Sequence, residues 1–166
     1  GTPGIGTTGH MAGELFKVKN NLFITHIPYR GTGPALQDLI AGQVDMMFDT
    51  LAGASNFIKS GQLKALAVAS NKRVAGFDNV PTAAEAGLKD YEVSSWYGLW
   101  AIKGTPPEII ERLNGIINAA LQDPAISGKL LPQGIVPNPM KVADFKAFVD
   151  AERTKFGKIV EQANIN

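Results

Sequence analysis

GTPGIGTTGH, residues 1–10, places Gly4, Gly6 and Gly9 at the spacing G-x-G-x-x-G, the dinucleotide fingerprint. That fingerprint requires a strand before it, a helix after it, and an acidic residue about 20 positions on to hold a ribose hydroxyl. The helix is predicted: Met11, Leu15, Phe16 and Val18 fall near one face, and Thr7 or Thr8 can cap it. At the acid position stand Tyr29 and Arg30, and the next carboxylate, Asp38, lies inside another predicted helix. An arginine can serve a phosphorylated ribose, so an NADP-dependent oxidoreductase using Gly4, Gly6, Gly9 and Arg30 stands as a rival reading. The physical content of the loop survives without either label. Glycines let backbone N–H groups approach a ligand, Thr7 and Thr8 add hydroxyls, and a helix N-terminus favours negative charge. A carboxylate fits such a seat as well as a phosphate. A turn with a capping threonine and no ligand is the plain alternative.

Composition narrows the partners. The 166 residues are 45% hydrophobic and 19% charged, as in a globular chain that can bury a core. The balance of 16 basic against 15 acidic residues argues against a nucleic-acid partner. Without cysteine there are no disulfides, no thiolate metal sites and no cysteine nucleophile. No apolar run reaches the roughly 18 residues of a membrane span, and no stretch has the make-up of a signal peptide. The first residues read as the interior of a loop, so upstream sequence is expected to be missing.

Outward from the loop, β-loop-α units are predicted, the order of a parallel sheet flanked by helices. Leu22–Ile27, Val44–Phe48 and Leu63–Ala69 read as strands. A helix is expected from Pro34, with proline at the first position, until Gly42 ends it, and another from Leu51 to Ser60, closed by Gly61. Residues 71–90 are irregular apart from a short helical stretch, Ala83–Ala86, and Tyr91–Lys103 reads as a long extended connector. From Thr105 the chain is expected to be all helix. Thr105 would cap the first of these helices, with an apolar stripe of Ile109, Ile110, Leu113, Ile116, Ile117, Ala120 and Leu121. Asp123-Pro124 starts a second that Gly134 ends, and Asn138-Pro139 a third carrying Phe145, Phe148, Val149, Phe156, Ile159 and Val160. These stripes have no strand of their own to cover.

Few side chains suit acid–base work. His10 and His26 are the only histidines, no H-E-x-x-H spacing exists, and no metal site is expected. His10 falls on the first helical turn near the loop, whereas His26, on a strand, reads as structural. No G-x-S-x-G elbow supplies a nucleophile. Asp49, at a strand end, faces either a ligand or a helix terminus. Trp96, Tyr97 and Trp100 suit a packed hinge. Thr7–Thr8, Pro28–Gly33 and Asp49–Gly53 would gather at one sheet edge, where open α/β sheets bind small ligands. That set points to binding without catalysis.

The series GIGTTGHMAGELF, HIPYRGTGPALQDLIAGQVDMMFD, GQLKALAVAS, NVPTAAEAG, SSWYGLWA and GTPPEIIERLN resembles the Bug-type extracytoplasmic solute-binding proteins, the TctC-like receptors of tripartite tricarboxylate transporters, from Gly1 to about Ile165. The resemblance implies an α/β fold like that of type II periplasmic binding proteins, two lobes with parallel or mixed sheets closing on a ligand. Residues 1–96 would be most of the second lobe, 97–103 a crossover, and 104–166 helices that clad a first lobe absent from this sequence. It implies a periplasmic receptor with no cofactor that hands a small organic carboxylate to the membrane components of a transporter. Dicarboxylates, tricarboxylates, acidic amino acids and aromatic acids all remain open as ligands. By resemblance one ligand carboxylate would be held by Gly6, Thr7, Thr8 and Gly9 with His10 close by, and Pro28, Tyr29, Arg30, Gly31 and Asp49 would line the same cleft. A sensor domain presenting the same site to a signalling partner is the second rival.

Overall fold

Thr7 opens the first helix, α1 (Thr8–Asn20): its hydroxyl accepts the His10 N–H at 3.3 Å, as an N-cap does. In the computed structural model, which describes residues 1–163 and 165, five further α-helices follow. They are α2 (Thr32–Ile40), α3 (Leu51–Lys59), α4 (Pro107–Gln122), α5 (Pro124–Leu130) and α6 (Val142–Gln162), with a 3-10 turn at Leu131–Gln133. None of them is long and apolar enough to cross a membrane. Asn164 and Asn166, at the end of the expected helical region, lie outside the described residues.

The predicted strands are the main correction. Leu22–Ile27, Val44–Phe48 and Leu63–Ala69 form no ladder among the described residues; pairing is reduced to two isolated parallel bridges, Thr2 with Pro28 and Val68 with Thr82. The segments do lie side by side at their ends. Thr2 N–H donates to the Ile27 carbonyl and Tyr29 N–H to the Thr2 carbonyl, both at 3.1 Å, and Phe48 N–H reaches the Gly1 carbonyl at 3.2 Å. Likewise Val68 N–H donates to Pro81, Ala83 N–H to Val68, and Val93 N–H to Ala69. Proline explains part of the arrest. Pro3, Pro28 and Pro81 all stand where these segments pair, and none can donate to a ladder. Phe23, 98% exposed in the middle of a predicted strand, has no neighbour to pack against.

Helix ends needed smaller corrections. Pro34 is the third residue of α2, not the first, because Gly31 takes the N-cap position. Pro106 is the N-cap of α4, with Pro107 at the first position; the Thr105 hydroxyl donates instead to the Ile102 carbonyl at 2.9 Å. Residues 83–87 make turns rather than a helix. The last helix starts at Val142, not at Asn138-Pro139.

The core sits under α1. Ala12 and Leu15 pack with Ala83, Tyr91, Val93 and, from α6, Ile159; Phe16, Phe48 and Phe156 close its sides. Burying side chains of this kind contributes about 1.5–3 kcal/mol for each large one. The Tyr91 hydroxyl is buried too and donates to the Ala12 carbonyl at 2.8 Å, which fixes α1 against the 91–93 segment. At its other end α6 presents Phe145 and Phe148 to the Trp96 ring, whose indole N–H donates to Glu152 at 3.2 Å. The 91–102 segment has no regular secondary structure, and α6 thus braces it at both ends.

Candidate functional site

The extended residues Gly1–Pro3 lie between two neighbours, residues 27–31 on one side and 46–48 on the other. Parallel pairing sends all three segments the same way, so their following loops emerge together. Gly31 N–H donates to the Pro3 carbonyl at 2.8 Å, and a Cβ on Gly4 would stand 3.0 Å from the Tyr29 carbonyl. Across the other side Gly9 lies against the Phe48 carbonyl so closely that no side chain fits between them. The Thr32 hydroxyl donates to Asp49 at 3.1 Å, tying the start of α2 to the start of α3. The loop 4–9, the turn 28–31 and Asp49, separated in sequence, therefore share one end of the fold.

Within the loop the donors divide into spent and unspent. The Thr7 hydroxyl is spent, donating to the Gly4 carbonyl at 2.7 Å while accepting from His10. The Gly6 N–H donates to His10 Nδ1 at 3.2 Å. The Thr8 and Gly9 N–H groups, at the first two positions of α1, meet no acceptor among the described residues, and neither does the Thr8 hydroxyl. Two aligned amides and a hydroxyl at a helix N-terminus are what an anion requires. Gly6 and Ile5 beside them are exposed.

The turn 28–31 behaves differently. Tyr29 donates its hydroxyl to Asp38 at 2.7 Å, and that bond to a carboxylate raises the phenol above its ordinary pKa. Arg30 is exposed and makes no ion pair among the described residues, so its guanidinium is free to meet an incoming acid group. Pro28 is exposed as well, and Gly31 stands at the N-cap of α2. Capping of α3 falls to Thr50, whose hydroxyl accepts from Gly53, rather than to Asp49. Asp49 itself is half-buried, with Oδ2 buried and unpartnered. Desolvation raises its pKa, against the opposing pull of the Thr50 backbone and the Thr32 hydroxyl.

Behind the loop lies a group that the sequence reading had kept apart. His10 and His26 stack face to face, ring centroids 4.2 Å apart and 13° from parallel. Glu14 stands one turn along α1, with Oε1 3.7 Å from His10 Nε2 and 2.7 Å from Lys17. The Thr2 hydroxyl lies 2.6 Å from His26 Nε2. Burial holds the His26 pKa down, and the nearby His10 adds to the effect. Two imidazoles and a carboxylate within 4.8 Å have the make-up of a cation site. His10 Nδ1, His26 Nε2 and Glu14 Oε1 already have partners in Gly6, Thr2 and Lys17, which leaves His10 Nε2 and His26 Nδ1 as the ring nitrogens without a hydrogen bond among the described residues. The i, i+4 spacing of His10 and Glu14 could be read from sequence. The part played by Thr2 and the stacking of His26 could not, since both depend on which segments lie side by side.

Known proteins match the chain along its length. The TctC family profile, tripartite tricarboxylate transporter family receptor, matches residues 1–165. A solved structure of an R. palustris protein with adipate is 35% identical, with a TM-score of 0.91, covering 99% of this chain and 56% of that one. Periplasmic binding protein BugD is 32% identical, with a TM-score of 0.86 over 99% of this chain and 56% of its own. MatC from Rhodopseudomonas palustris, with bound malate, is 32% identical, with a TM-score of 0.84 over 96% of this chain and 56% of that one. The fold is accordingly that of periplasmic binding proteins. The chain spans about half the length of most of the curated relatives it matches, from Agrobacterium vitis and Bordetella among others.

Proposed function

Because the chain belongs to the TctC family of tripartite tricarboxylate transporter receptors, we propose that it forms part of a periplasmic receptor that captures a small organic carboxylate and delivers it, unaltered, to the membrane components of a transporter. The observation that carries this reading is the pair of unspent amides at Thr8 and Gly9, beside a free Thr8 hydroxyl. One ligand carboxylate sits there, against Gly6, Thr7 and His10. Arg30 approaches from the turn formed with Pro28, Tyr29 and Gly31, and Asp49 stands behind. A receptor that releases its ligand unaltered needs no chemical step at this end. The neighbours with adipate and malate support a dicarboxylate as the first class to try.

The chain's three parts take different roles in this proposal. Residues 1–96 form most of the second lobe, 97–103 the crossover, and 104–166 helices that pack on a first lobe supplied by sequence outside these residues. The roughly double length of most relatives supports that division. Ligand donors on both lobes would favour the closed state, and the difference in affinity between states sets the shift.

Calorimetry with malate and adipate on the two-lobe protein tests the reading. Thr8→Ala should weaken binding by about 1 kcal/mol or more, the worth of a hydrogen bond to a charged group, and Arg30→Gln by a similar amount. Thr7→Ala should act chiefly on stability, because its hydroxyl already has partners within the loop. Unchanged affinity in a Thr8→Ala/Arg30→Gln double variant would count decisively against the assignment.

A further inference from the structure

Resting on the carboxylate seat just described, we propose that His10 is a proton-operated latch on the glycine loop: neutral, it holds the Gly6 amide; protonated, it releases that amide and becomes a donor itself, so that an anion enters together with a proton.

The hydrogen bond fixes the resting tautomer. His10 Nδ1 accepts from the Gly6 N–H at 3.2 Å, so neutral His10 carries its proton on Nε2. That nitrogen faces Glu14 Oε1 at 3.7 Å, beyond hydrogen-bond reach. A second proton must go to Nδ1, where it would meet the Gly6 N–H head on. One of the two must turn away. Gly6 can do so: its φ of +76° is in the left-handed region open to glycine, and nothing lies within 4 Å of where a Cβ would be. Once turned, the Gly6 amide joins those of Thr8 and Gly9 at the seat, and a cationic imidazole stands beside them. An anion there stabilises the charged ring, and the charged ring stabilises the anion.

The surroundings of His26 keep it from sharing the charge. His26 stacks on its face, and its Nε2 is held by Thr2. Two stacked cations 4.2 Å apart would repel, and burial already disfavours the charged form of His26. The other charged groups near the stacked rings are Glu14 and Lys17 on α1 and the amino group of Gly1. The Glu14–Lys17 pair at 2.7 Å leaves those two side chains largely offsetting each other.

The chain has two histidines, which makes the test direct. Imidazole nitrogen NMR on the ligand-free protein, assigned with His26→Gln, should show the Nε2–H tautomer of His10 at alkaline pH. Across a pH titration the Gly6 amide shift should follow protonation of the His10 ring. A His10 in the Nδ1–H tautomer, or a Gly6 amide that ignores that titration, overturns the latch without any variant being needed. Calorimetry with malate on the two-lobe protein, repeated in buffers of different ionisation heat, reads the coupling. Wild type should take up a proton on binding, and affinity should fall roughly tenfold per pH unit above the His10 midpoint. His10→Gln should bind malate with no proton uptake and a flat pH profile. Binding by wild type with no proton uptake overturns the coupling and leaves the carboxylate reading intact. No binding of malate or adipate at any pH, with the Gly6 titration present, instead tells against the carboxylate reading and upholds the latch.

Discussion

Helices α1 and α4 carry apolar faces in the sequence, yet they meet different fates. In α1 the buried residues include Ala12 and Leu15, and the face is closed by Tyr91, Val93 and Ile159. In α4 no residue is buried, and Ile109, Leu113 and Ile116 are 46%, 47% and 57% exposed. Its contacts are at the edge: the Asn114 and Asn118 amides donate to the Met140 carbonyl at 3.0 and 2.9 Å. A stripe at helical spacing reports which face can be buried. It does not report whether anything covers it. Leu99, Trp100 and Ile102 of the preceding segment are exposed as well.

The comparison is broken most directly at Leu15. Leu15→Ala should cost about 3 kcal/mol of stability, the usual loss when a buried leucine leaves a cavity, read as a lower urea midpoint at unchanged slope. A loss below about 1 kcal/mol would mean that the cluster under α1 is not a packed core. Next comes Gly9→Ala. Because the Phe48 carbonyl occupies the space a methyl group needs, the loop and the 46–48 segment must part, at a cost of about 1–3 kcal/mol. Gly115→Ala, in α4 with open space around it, should instead stabilise slightly, by about 0.5–1 kcal/mol. Opposite signs for the same substitution would sharpen the contrast between the two helices.

Tyr91→Phe should cost about 1 kcal/mol, since it leaves the Ala12 carbonyl without its buried donor. Asp49→Asn tests the loop cluster by pH. Burial raises the Asp49 pKa, so the contribution of its neutral form is present in acid and lost as pH rises through the folded value. The amide keeps an acceptor for the Thr32 hydroxyl without a charge to desolvate. The variant should therefore gain on wild type at neutral pH and match it in acid, as compared by urea midpoints at both. A variant that loses more at neutral pH than in acid would show that the charged carboxylate is held favourably.

How far the sequence foretold these outcomes depends on the range of the interaction. A threonine cap at Thr7 or Thr8, Asp123 before Pro124, and the glycines that follow α2 and α3 were legible because a helix end is settled within one turn of chain. Thr105 was misread because two successive prolines shift the start of α4 by a residue, and the hydroxyl turns back to Ile102. The strands were legible as apolar runs, but a ladder depends on a partner, and prolines interrupt these partners. At the site, the convergence of loop 4–9, turn 28–31 and Asp49 followed from β-loop-α order alone. The Thr2–His26–His10–Gly6 chain of contacts did not, because it needs the parallel register of Gly1–Pro3 against 27–31. Spacing also left the choice between Thr7 and Thr8 open; only the bond to Gly4 shows which hydroxyl remains free.

The smallest predicted effect bears on the widest claim. In this chain Leu113→Ala should change stability by no more than about 0.5 kcal/mol, because a half-exposed side chain leaves no cavity when trimmed. If the face of α4 packs on a first lobe, as proposed, the same substitution in the two-lobe protein should cost about 2 kcal/mol or more, the loss expected of a buried leucine. Equal, small effects in both forms would leave α4 uncovered and remove the reason for placing residues 104–166 on another lobe. A large effect already in the 166-residue chain would show that the face is buried within it, and the difference between α1 and α4 would vanish. The outcome expected here, small alone and large in company, follows from a stripe whose spacing suits burial and whose surroundings in this chain do not supply it.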